Sequence, residues 1–547
     1  MEEAGCAAVG EAVEYPVLCT PLEQAVNDMC DQLPPELEVQ FVAALRSAEQ
    51  HSLDCKLATA AGFAGCHVAH ICKEKIHKVW QKRHGIAIQQ EDAVIAEKMD
   101  WKRNFLCFQF DDVGFVARDV ADLTQHSPFN AKIGKESLMP WFCDFEGGFT
   151  CVSRSSFNSN APQNLNCVQK GTEKTGKAYA LCDNIADLPQ VKKLLLENLS
   201  ALGQKDKSTD GSQSDTEYIV DQLKSKGFCA WACTSNANEF GSPVPRVRTY
   251  WLACRLEDKG NNDAAIQFAI SLFTAFKLPH STDASSFITK DDWTRQAEAD
   301  KLGFPTLFNE QSVRLPKRQK ADLDWEFQHK EAFEEVGMFW PVDLSTVYYD
   351  CPEVNTSGML QREIEVAVFM HKVFAPPGRD VFELCGGNQS LTPIIANAFD
   401  ENGHVRQSPW ILNQPGTLVG SMKVFVRWTY QVEKNGYRES KVRCLEGMEY
   451  MRLLGWADSD WKPFRWKQVW DDAFDHTEGL ANMAGNAFSG FQYAAHYMAL
   501  MATWGRFGQH AGNQSLAPTS TSVEAMPQLC GSESDETGSS YTSGSSN

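Results

Sequence analysis

The stretch Leu57-Ala58-Thr59-Ala60-Ala61-Gly62-Phe63-Ala64-Gly65 decides the fold. It has the pattern of a short apolar strand that runs into a turn of small residues, and helical sequence follows from Cys66. Small residues in such a turn let a cofactor approach the backbone at the carboxyl end of a strand. The turn alone is equally compatible with a cofactor site and with an ordinary tight strand-to-helix connection.

Two acidic residues follow the next apolar runs of the chain. Glu97 comes directly after a short strand that ends at Ala96, where a carboxylate can accept hydrogen bonds from ribose hydroxyls. Asp119 follows the strand Phe115–Ala117 and is placed to reach an adenine amine. Each acid taken singly has a plain alternative, a solvated surface charge. Their order after the Gly62 turn favours a cofactor site.

Short apolar runs alternate with longer helix-like stretches between Lys56 and about Leu256. This rhythm predicts an α/β fold in which a parallel sheet carries crossover helices. Between about residues 257 and 432 the sequence becomes rich in aromatic and turn residues, which indicates a second and less regular lobe. The predicted strands are Cys55–Ala60, Ala93–Ala96, Phe115–Ala117, Leu194–Leu196 and Thr249–Cys254.

A cysteine lies in the small, polar segment 147–156, Gly-Gly-Phe-Thr-Cys-Val-Ser-Arg-Ser-Ser. Such a loop can expose the Cys151 thiol and supply hydrogen bonds or a positive neighbour that favour the nucleophilic thiolate. A buried structural cysteine is the alternative, and it is the ordinary expectation in a chain with eighteen cysteines. Further on, the apolar run 191–196 predicts a strand that delivers Glu197 at its end, where a carboxylate suits acid chemistry.

A third segment, 238–250, reads Asn-Glu-Phe-Gly-Ser-Pro-Val-Pro-Arg-Val-Arg-Thr-Tyr. Its two arginines, Arg246 and Arg248, lie two positions apart on an extended chain. We expect them to point to opposite faces, so that one meets the substrate while the other braces the fold.

These three segments resemble signature motifs of cytosine-5 methyltransferases, and they occur in that family's order. They are the Phe-x-Cys segment at Cys151, the Glu-Asn-Leu strand end at Glu197, and the Phe-Gly-x-Pro-x-x-Arg-x-Arg stretch that ends at Arg248. Residues 443–456 look like the family's Arg-x-Leu…Glu…Leu-x-Gly helix, and residues 485–488 look like the closing Gly-Asn element that packs beside its cofactor loop. The resemblance spans about residues 53 to 505.

The resemblance implies S-adenosylmethionine as cofactor and a covalent mechanism. By position, Cys151 would attack C6 of cytosine, Glu197 would bond the ring at N3, and Arg248 would hold the base oxygen. Arg246 belongs with them in the implied catalytic group. A duplex substrate would have to be flipped out, because the ring faces are inaccessible within the stack. The residues expected to surround the cofactor are Ala61, Gly62, Phe63, Gly65, Glu97, Asp119, Asn486 and Ala487.

The chain departs from the family's pattern beside these motifs. Thr150 and Val152 flank the cysteine where the family usually has proline and glutamine. Ala60 stands where an aromatic residue is usual, Ala64 where glycine is usual, and Val244 where glutamine is usual. The departures bear on turnover more than on fold, because the implied nucleophile, acid and arginine all remain. A catalytically inactive relative that binds cofactor or nucleic acid is therefore an alternative.

The charge distribution bears on the substrate. A formal net charge of −20 argues against strong nonspecific DNA binding, since phosphate contacts are made mainly by Lys and Arg. Residues 1–50 hold ten acids and only Arg46, and residues 513–547 hold four acids and no Lys or Arg, so the termini account for −13 and the body for −7. A body of that charge still permits a local basic cleft. We expect DNA as substrate, because the family is mostly DNA-directed, with RNA as the alternative.

Three other segments have two interpretations each. His67 and His70 share a helical face and suggest a metal site, but a packed helix after the cofactor turn is the simpler interpretation, so no metal is expected. Residues 383–388, Glu-Leu-Cys-Gly-Gly-Asn, resemble a rival glycine loop, and their place after the Arg-x-Arg strand favours a turn in the second lobe. For the basic run 314–320 a solvated loop is favoured over phosphate contact or nuclear import.

The sequence predicts a Rossmann-like S-adenosylmethionine-dependent methyltransferase domain with a smaller, irregular target-recognition lobe. No apolar run is long enough to span a membrane, no secretory signal is recognisable, and the scattered cysteines favour reduced thiols. We therefore expect a soluble intracellular protein, in the nucleus. Residues 204–217 are expected to form a surface loop. The predicted segments are an acidic N-terminal extension (1–50), the catalytic core (51–256), the target-recognition lobe (257–435), a C-terminal return to the core (436–512) and a disordered tail (513–547).

Overall fold

The computed structural model describes residues 19–154, 164–205, 213–289, 322–340, 361–374, 381–387, 410–412, 423–431, 438–462 and 476–508, together with single residues between 342 and 418. The predicted tail and the basic run 314–320 lie outside the described residues. So does the middle of the predicted surface loop, residues 206–212. Of the helices that the structure describes, none combines the length and apolar character needed to cross a membrane.

A nine-stranded sheet forms the centre of the molecule, with the order β5-β4-β3-β2-β1-β6-β7-β9-β8. Strands β1, β2, β3, β6 and β7 run parallel, whereas β9 runs antiparallel to both β7 and β8. The strands are β1 (Leu57–Gly62), β2 (Gln90–Ala96), β3 (Phe115–Ala117), β4 (Phe129–Asn130), β5 (Lys135–Glu136), β6 (Asp144–Gly148), β7 (Lys193–Leu199), β8 (Cys229–Asn236) and β9 (Val247–Cys254).

The strand order reverses at β1, because β2 and β3 lie on one side of it and β6 and β7 on the other. Open α/β sheets bind their ligands at such a reversal, outside the carboxyl ends of the strands. The predicted α/β, Rossmann-like fold is therefore confirmed. The expectation of a parallel sheet is corrected at both edge regions, because β4 and β5 on one side and β9 and β8 on the other pair antiparallel. Only residues 237–246 connect β8 to β9, and a connection that short permits only an antiparallel pair.

Each of the five predicted strands is present, but β6 was not predicted from the sequence. Its residues Asp-Phe-Glu-Gly-Gly interrupt any apolar run with two acids and two glycines. The structure buries Glu146 and pairs it: Lys73 donates to it at 3.0 Å and the Tyr493 hydroxyl at 2.6 Å. Buried carboxylates that are paired in this way are tolerated in a core, although they hide the strand from a search for apolar patterns.

The helices of the described residues pack around the large sheet and within the C-terminal half of the chain. They are α1 (Pro21–Asp31), α2 (Pro35–Asp54), α3 (Val68–His84), α4 (Asp100–Gln109), α5 (Glu173–Ala186), α6 (Asp215–Ser225), α7 (Asn262–Ala275), α8 (Asp322–Glu335), α9 (Gln361–Val373), α10 (Gly447–Arg452), α11 (His476–Asn486) and α12 (Gly490–Phe507). Helix α12 is buried along residues 490–505 and contacts α2, α3 and α7 as well as β9. A helix that is apolar around its whole circumference belongs in the interior of a large protein.

The acidic N-terminal segment contributes two helices to the main core. Thr20 and Glu23 form a capping box that begins α1. Leu22, Val26 and Phe41 are fully buried, and α1 and α2 contact α3 and α12. The excess of acids in this segment therefore coexists with a well-packed apolar face.

The predicted surface loop 204–217 ends earlier than expected. Helix α6 begins at Asp215, and Ser214 caps it by accepting a hydrogen bond from the backbone amide of Glu217. The Glu217 carboxylate in turn accepts from the Ser214 amide at 2.9 Å. This Ser-x-x-Glu capping box is a helix-start signal within an otherwise loop-like composition.

A second sheet, antiparallel and four-stranded, lies in the C-terminal half with the order β11-β10-β12-β13. Its strands are β10 (Val381–Gly387), β11 (Ile411–Leu412), β12 (Lys423–Gln431) and β13 (Arg438–Cys444). Gly386 and Gly387 pair with β12 inside this sheet. The expectation of a turn at 383–388 is therefore corrected for residues 383–387, because an antiparallel strand occupies them. Asn388 lies outside the described residues.

The segment 443–456 is only partly helical. Arg443, expected in a helix, lies in β13, and α10 begins at Gly447. The two guanidinium nitrogens of Arg443 each donate to one carboxylate oxygen of Glu449 at 2.7 Å. This buried bidentate pair joins the end of the strand to the helix.

Candidate active site

The carboxyl ends of β6 and β7 and the start of β9 lie at the same end of the large sheet, and the implied catalytic group lies in β7, in β9 and in the loop after β6. Gly148, the last residue of β6, pairs with Glu197 in β7. Cys151 follows three residues later, half-buried, before the short 3-10 helix Val152–Arg154. Because β9 is antiparallel, its first residues lie at this same edge, and Arg248 pairs with Leu199.

Glu197 and Arg248 form an ion pair at this edge. Nε of Arg248 lies 3.0 Å from Oε1 of Glu197, and their side chains are 11% and 8% exposed respectively. The register brings them together, since Leu199 pairs with Arg248 and Glu197 with Tyr250. A carboxylate and a guanidinium are thereby held side by side on β7 and β9, and β6, the strand that leads to Cys151, lies on the other side of β7.

Gly148 leaves room for the Glu197 carboxylate. A Cβ atom at residue 148 would lie 3.2 Å from Oε2 of Glu197 and 3.3 Å from Cε1 of Phe488. The carboxylate and the Phe488 ring therefore both approach the bare backbone at the end of β6. Phe488 belongs to the segment 485–488, so this part of the C-terminal return reaches the catalytic edge itself.

The chain that follows β7 anchors the loop around Cys151. Nδ2 of Asn198 donates to the carbonyl of Phe149 at 2.7 Å. On the other side of the cysteine, Arg154 donates to the carbonyl of Ala201 at 3.0 Å. The Cys151 carbonyl accepts from the Arg154 amide at 3.0 Å. The position of the thiol is therefore tied to the strand that carries Glu197.

The Cys151 thiol is protonated at neutral pH. Burial raises its pKa above the ordinary value, and the Glu197 carboxylate raises the pKa further, whereas the guanidinium groups of Arg248 and Arg246 lower it by less. The positive neighbours expected for the thiol thus come from the arginine segment. In the free protein they do not outweigh burial and the adjacent carboxylate.

Arg246 connects the start of β9 to the C-terminal half of the chain. Its side chain is buried, and Nη1 donates to the carbonyls of Leu418 at 3.3 Å and Gly485 at 3.2 Å. Burial and the neighbouring Arg248 lower its pKa to about 10, so it stays charged at neutral pH. The expectation of opposite faces is wrong, because side chains two positions apart on a strand share a face. Arg246 precedes β9 and reaches the C-terminal half, while Arg248 within β9 meets Glu197.

Three buried polar atoms at this edge have no hydrogen-bond partner among the described residues. They are Oε1 of Glu197, Nε of Arg246 and Oη of Tyr250. The contact of Glu197 with Arg248 is close but is not aligned as a hydrogen bond. Leaving such a group unpaired costs roughly 1 to 3 kcal/mol. Polar atoms in this state are suited to a ligand that brings its own donors and acceptors.

Several contributors to the site were not singled out in the sequence. The ring of Tyr250 stacks on His496, with centroids 4.0 Å apart, and lies near Phe488. The strand alternation that places Arg248 at this edge also places Tyr250 there, and this signal was available in the sequence. The anchoring role of Arg154 and the approach of Phe488 depend on tertiary contacts that the sequence does not display.

The turn after β1 has an unusual backbone. Phe63, Gly65 and His67 all adopt the left-handed conformation, with φ of 53°, 57° and 53°. Glycine takes this conformation freely, whereas it is strained for a bulky residue such as Phe63. Glu97 holds the turn, because Oε2 accepts from the Gly65 amide at 3.0 Å and Oε1 from the Met99 amide at 3.0 Å.

The ends of β1 and β3 complete this part of the edge. A Cβ atom at Gly62 would lie 2.9 Å from the Phe145 ring, so the position requires glycine for close packing. Ala61 is buried beside it. Asp119 follows β3 and caps a short 3-10 helix by accepting from the Ala121 amide at 3.2 Å.

Two predicted cofactor residues lie in the C-terminal return. Asn486 is exposed, and its amide donates within α11 to the Asn482 carbonyl at 2.8 Å. Ala487 is buried. The contacts of Asn486 therefore lie along its own helix, whereas Gly65 and Glu97 contact each other directly.

The hydrogen-bonding groups at the ends of β1, β2 and β3 are of the kinds that S-adenosylmethionine could bind. A carboxylate offers about four acceptor positions, and the two amides bound to Glu97 leave acceptor capacity for hydroxyl groups. Asp119 stands at the next strand end with its side chain 31% exposed. The turn after β1 presents open backbone at Gly65, where a Cβ atom would meet no atom within 4 Å.

No protein-family model and no curated protein matches the chain. Among solved structures, the chain is similar to the Dnmt2 methyltransferase of S. pombe, with 12% identity, 81% of this chain and 98% of that chain covered, and a TM-score of 0.36. The methyltransferase EhMeth of Entamoeba histolytica has 11% identity, 81% and 97% coverage and a TM-score of 0.37. A putative DNA modification methyltransferase encoded within an E. coli prophage has 12% identity, 82% and 98% coverage and a TM-score of 0.37. At these similarities the interpretation of the site depends on its own geometry.

Proposed function

We propose that the protein is an S-adenosylmethionine-dependent cytosine-5 methyltransferase that acts on DNA through a covalent adduct at Cys151. The observation that carries the proposal is the convergence of Cys151, Glu197 and Arg248 at one edge of the sheet. Three separate parts of the chain deliver them, and the carboxyl ends of the central strands lie beside them.

S-adenosylmethionine supplies an electrophilic methyl group when bound. The residues that would hold it are the left-handed turn and the acids at the ends of β2 and β3. Glu97 would accept hydrogen bonds from hydroxyls and Asp119 would accept from an amine. The turn that begins at Gly62 would allow close approach at Gly65, where a Cβ atom would meet no atom within 4 Å. Ala61, Phe63, Gly65, Asn486 and Ala487 complete the proposed set.

Base binding would itself activate the nucleophile. A proton shared between Glu197 and ring N3 removes a negative charge from beside the Cys151 thiol. The Glu197 carboxylate raises the thiol pKa in the free protein, so its neutralisation lowers that pKa. Arg248 keeps its positive charge there, holds the base oxygen and favours the thiolate.

The bond changes then follow from this arrangement. The Cys151 thiol loses its proton to solvent and its sulfur bonds to C6, and the electron pair displaced from the C5–C6 double bond makes C5 nucleophilic. After C5 has gained a methyl group, a base removes the C5 proton, the electron pair returns to the ring, and the sulfur–C6 bond breaks. Glu197 stabilises the intermediate by its bond to N3, and Arg246 keeps the segment in place from behind.

Two alternatives have support of their own. The Dnmt2 and EhMeth structures are described only as methyltransferases, so RNA remains an alternative substrate to DNA. The raised pKa of Cys151 and the departures at Thr150 and Val152 favour a cofactor-binding relative without turnover. The nucleus is the compartment that a DNA substrate implies.

The proposal is tested by methyl transfer from labelled S-adenosylmethionine to DNA and RNA of matched sequence, with base analysis of the product. We expect 5-methylcytosine in DNA, and none with the Cys151→Ser variant. Label in RNA alone would mean that RNA, and not DNA, is the substrate. Cofactor binding without label in either would favour the inactive relative.

A further inference from the structure

We propose that His67, His70 and Asp92 bind a zinc ion at the beginning of α3. The candidate ligand atoms of the three residues lie within 4.8 Å of one another. Oδ2 of Asp92 is 3.2 Å from Nε2 of His67 and 2.6 Å from Nδ1 of His70. Two imidazoles and a carboxylate are a donor set that zinc takes in proteins, with the fourth position left to water.

The spacing needs little adjustment to hold the ion. Zinc bonds of about 2.0 to 2.1 Å in a tetrahedron put neighbouring ligand atoms roughly 3.4 Å apart. The His67–Asp92 distance is already close to that value. His70 would have to withdraw by less than about 1 Å, and its side chain is 13% exposed, so it has space on the solvent side.

The surroundings resemble the outer shell of a metal site. Nε2 of His70, on the side of the ring away from Asp92, lies 3.5 Å from a carboxylate oxygen of Glu74. Lys73 donates to the other oxygen of Asp92 and fixes that carboxylate. Ligating histidines commonly donate their second ring nitrogen to a carboxylate, and ligating carboxylates are themselves hydrogen-bonded.

The negative charge around the cluster and the aromatic ring beside it also favour a divalent cation. The carboxylates of Asp92, Glu146, Glu74 and Asp112 lie in or beside the cluster, and the ammonium group of Lys73 is paired with two of them. The Phe110 ring closes one side, with its centroid 5.1 Å from that of His67 and 5.0 Å from that of His70. A negative, partly apolar pocket raises the affinity for a cation because little water competes for it.

The ion would stabilise the turn after β1, residues 63–67, and would not take part in methyl transfer. His67 has left-handed backbone geometry and directly precedes α3, two residues after Gly65. Asp92 lies in β2, the strand that ends beside Glu97. A metal bond between them would therefore lock the start of α3 onto β2 and stabilise the strained turn.

Zinc titration of the full chain, after removal of metal with a chelator, tests the proposal by calorimetry and metal analysis. We expect one zinc per chain for the wild type and at least 100-fold weaker binding for His67→Gln and for His70→Gln. Glu74→Gln should weaken binding about 10- to 100-fold, as loss of an outer-shell partner does. His126→Gln, at an exposed histidine elsewhere, should bind as the wild type does.

Cobalt substitution separates this site from binding by the cysteines. The cobalt absorption that is lost in His70→Gln should contain no thiolate-to-metal band, because the proposed ligands are nitrogen and oxygen, whereas Cys351, Glu353 and His371 form a second cluster that includes a thiol. A wild type that binds no stoichiometric zinc, a thiolate band that His70→Gln abolishes, or His70→Gln and Glu74→Gln variants that bind like the wild type would each overturn the proposal. Circular dichroism checks that the variants are folded. The result is independent of whether methyl transfer is observed.

Discussion

The side chain of Asn198 donates a hydrogen bond of 2.7 Å to the backbone carbonyl of Phe149. Asn198 directly follows Glu197, and Phe149 precedes Cys151 by two residues. The bond therefore fixes the distance between the proposed acid, which lies in β7, and the proposed nucleophile, which lies in the loop after β6, although the two are far apart in the sequence. In this account Asn198 acts by position and does not touch the substrate.

Asn198→Ala should lower kcat about 100-fold, the loss that a displacement of roughly 1 Å produces between reacting groups. KM for S-adenosylmethionine should change little, because the cofactor turn lies at other strand ends. Steady-state kinetics of methyl transfer measure both. The matched control is Asn27→Ala, which removes a similar side-chain bond to a backbone carbonyl, 2.9 Å long, in α1. Equal effects of the two variants would contradict the positioning role.

Gly148→Ala should abolish most activity while the fold is retained. The new methyl group would lie 3.2 Å from the Glu197 carboxylate and 3.3 Å from the Phe488 ring, and both would have to move. We expect kcat to fall about 100-fold or more. Gly114→Ala serves as control, because a Cβ atom at residue 114 meets no atom within 4 Å. Normal activity of Gly148→Ala would show that the Glu197 position is not critical.

The thiol pKa of Cys151 should respond to its charged neighbours with opposite signs. Glu197→Gln removes a charge that raises this pKa, so the thiolate fraction and the rate of alkylation at pH 7.5 should rise. Arg248→Gln removes a charge that lowers the pKa and should slow alkylation. The measurement is the pH profile of iodoacetamide labelling at the Cys151 peptide, followed by mass spectrometry. Identical profiles for the three proteins would place Cys151 away from both residues.

His496 should make the protein sensitive to acid. Burial lowers its pKa from 6.5 to about 3, so below pH 6.5 the unfolded chain binds a proton that the folded chain does not. This contribution to stability is fully present above pH 6.5 and is lost as the pH falls toward 3. It amounts to about 2 kcal/mol of unfolding free energy between pH 7 and pH 5.

Denaturant unfolding at pH 7 and pH 5 measures that contribution. The comparison is between the wild type and His496→Phe, which keeps a ring stacked on Tyr250. We expect the loss of stability between the two pH values to be about 2 kcal/mol smaller in the variant. The buried His77 remains in both proteins and cancels in the difference. An unchanged pH dependence would mean that His496 is already protonated in the fold.

Local patterns predicted much of the fold. The strand before Gly62, the turn after it and the acids at Glu97 and Asp119 all depend on neighbouring residues, and the structure has these strand ends at one edge of the sheet. Strand β6 was missed because Glu146 places a charge on its buried face, where Lys73 and Tyr493 compensate it. That compensation comes from distant parts of the chain, so no local search reveals it.

The assembly of the candidate site was less predictable. Cys151, Glu197 and Arg248 were named from the motif resemblance, and their catalytic roles remain predictions. What the sequence did not show is the antiparallel register that sets Arg248 beside Glu197, since register is decided by how whole strands pair. The error about the two arginines had a simpler cause, because the period of a strand puts alternate residues on one face.

Covalent trapping on DNA that contains 5-fluorocytosine, in the presence of S-adenosylmethionine, tests directly whether Cys151 bonds to the cytosine ring. Fluorine at C5 cannot leave as a proton does, so an enzyme of this mechanism stays bonded to the base through Cys151. We expect a denaturation-resistant complex with the wild type, none with Cys151→Ser, and a strongly reduced yield with Glu197→Gln. A stable adduct with Cys151→Ser, or the absence of any adduct with a wild type that methylates the same DNA, would contradict this expectation.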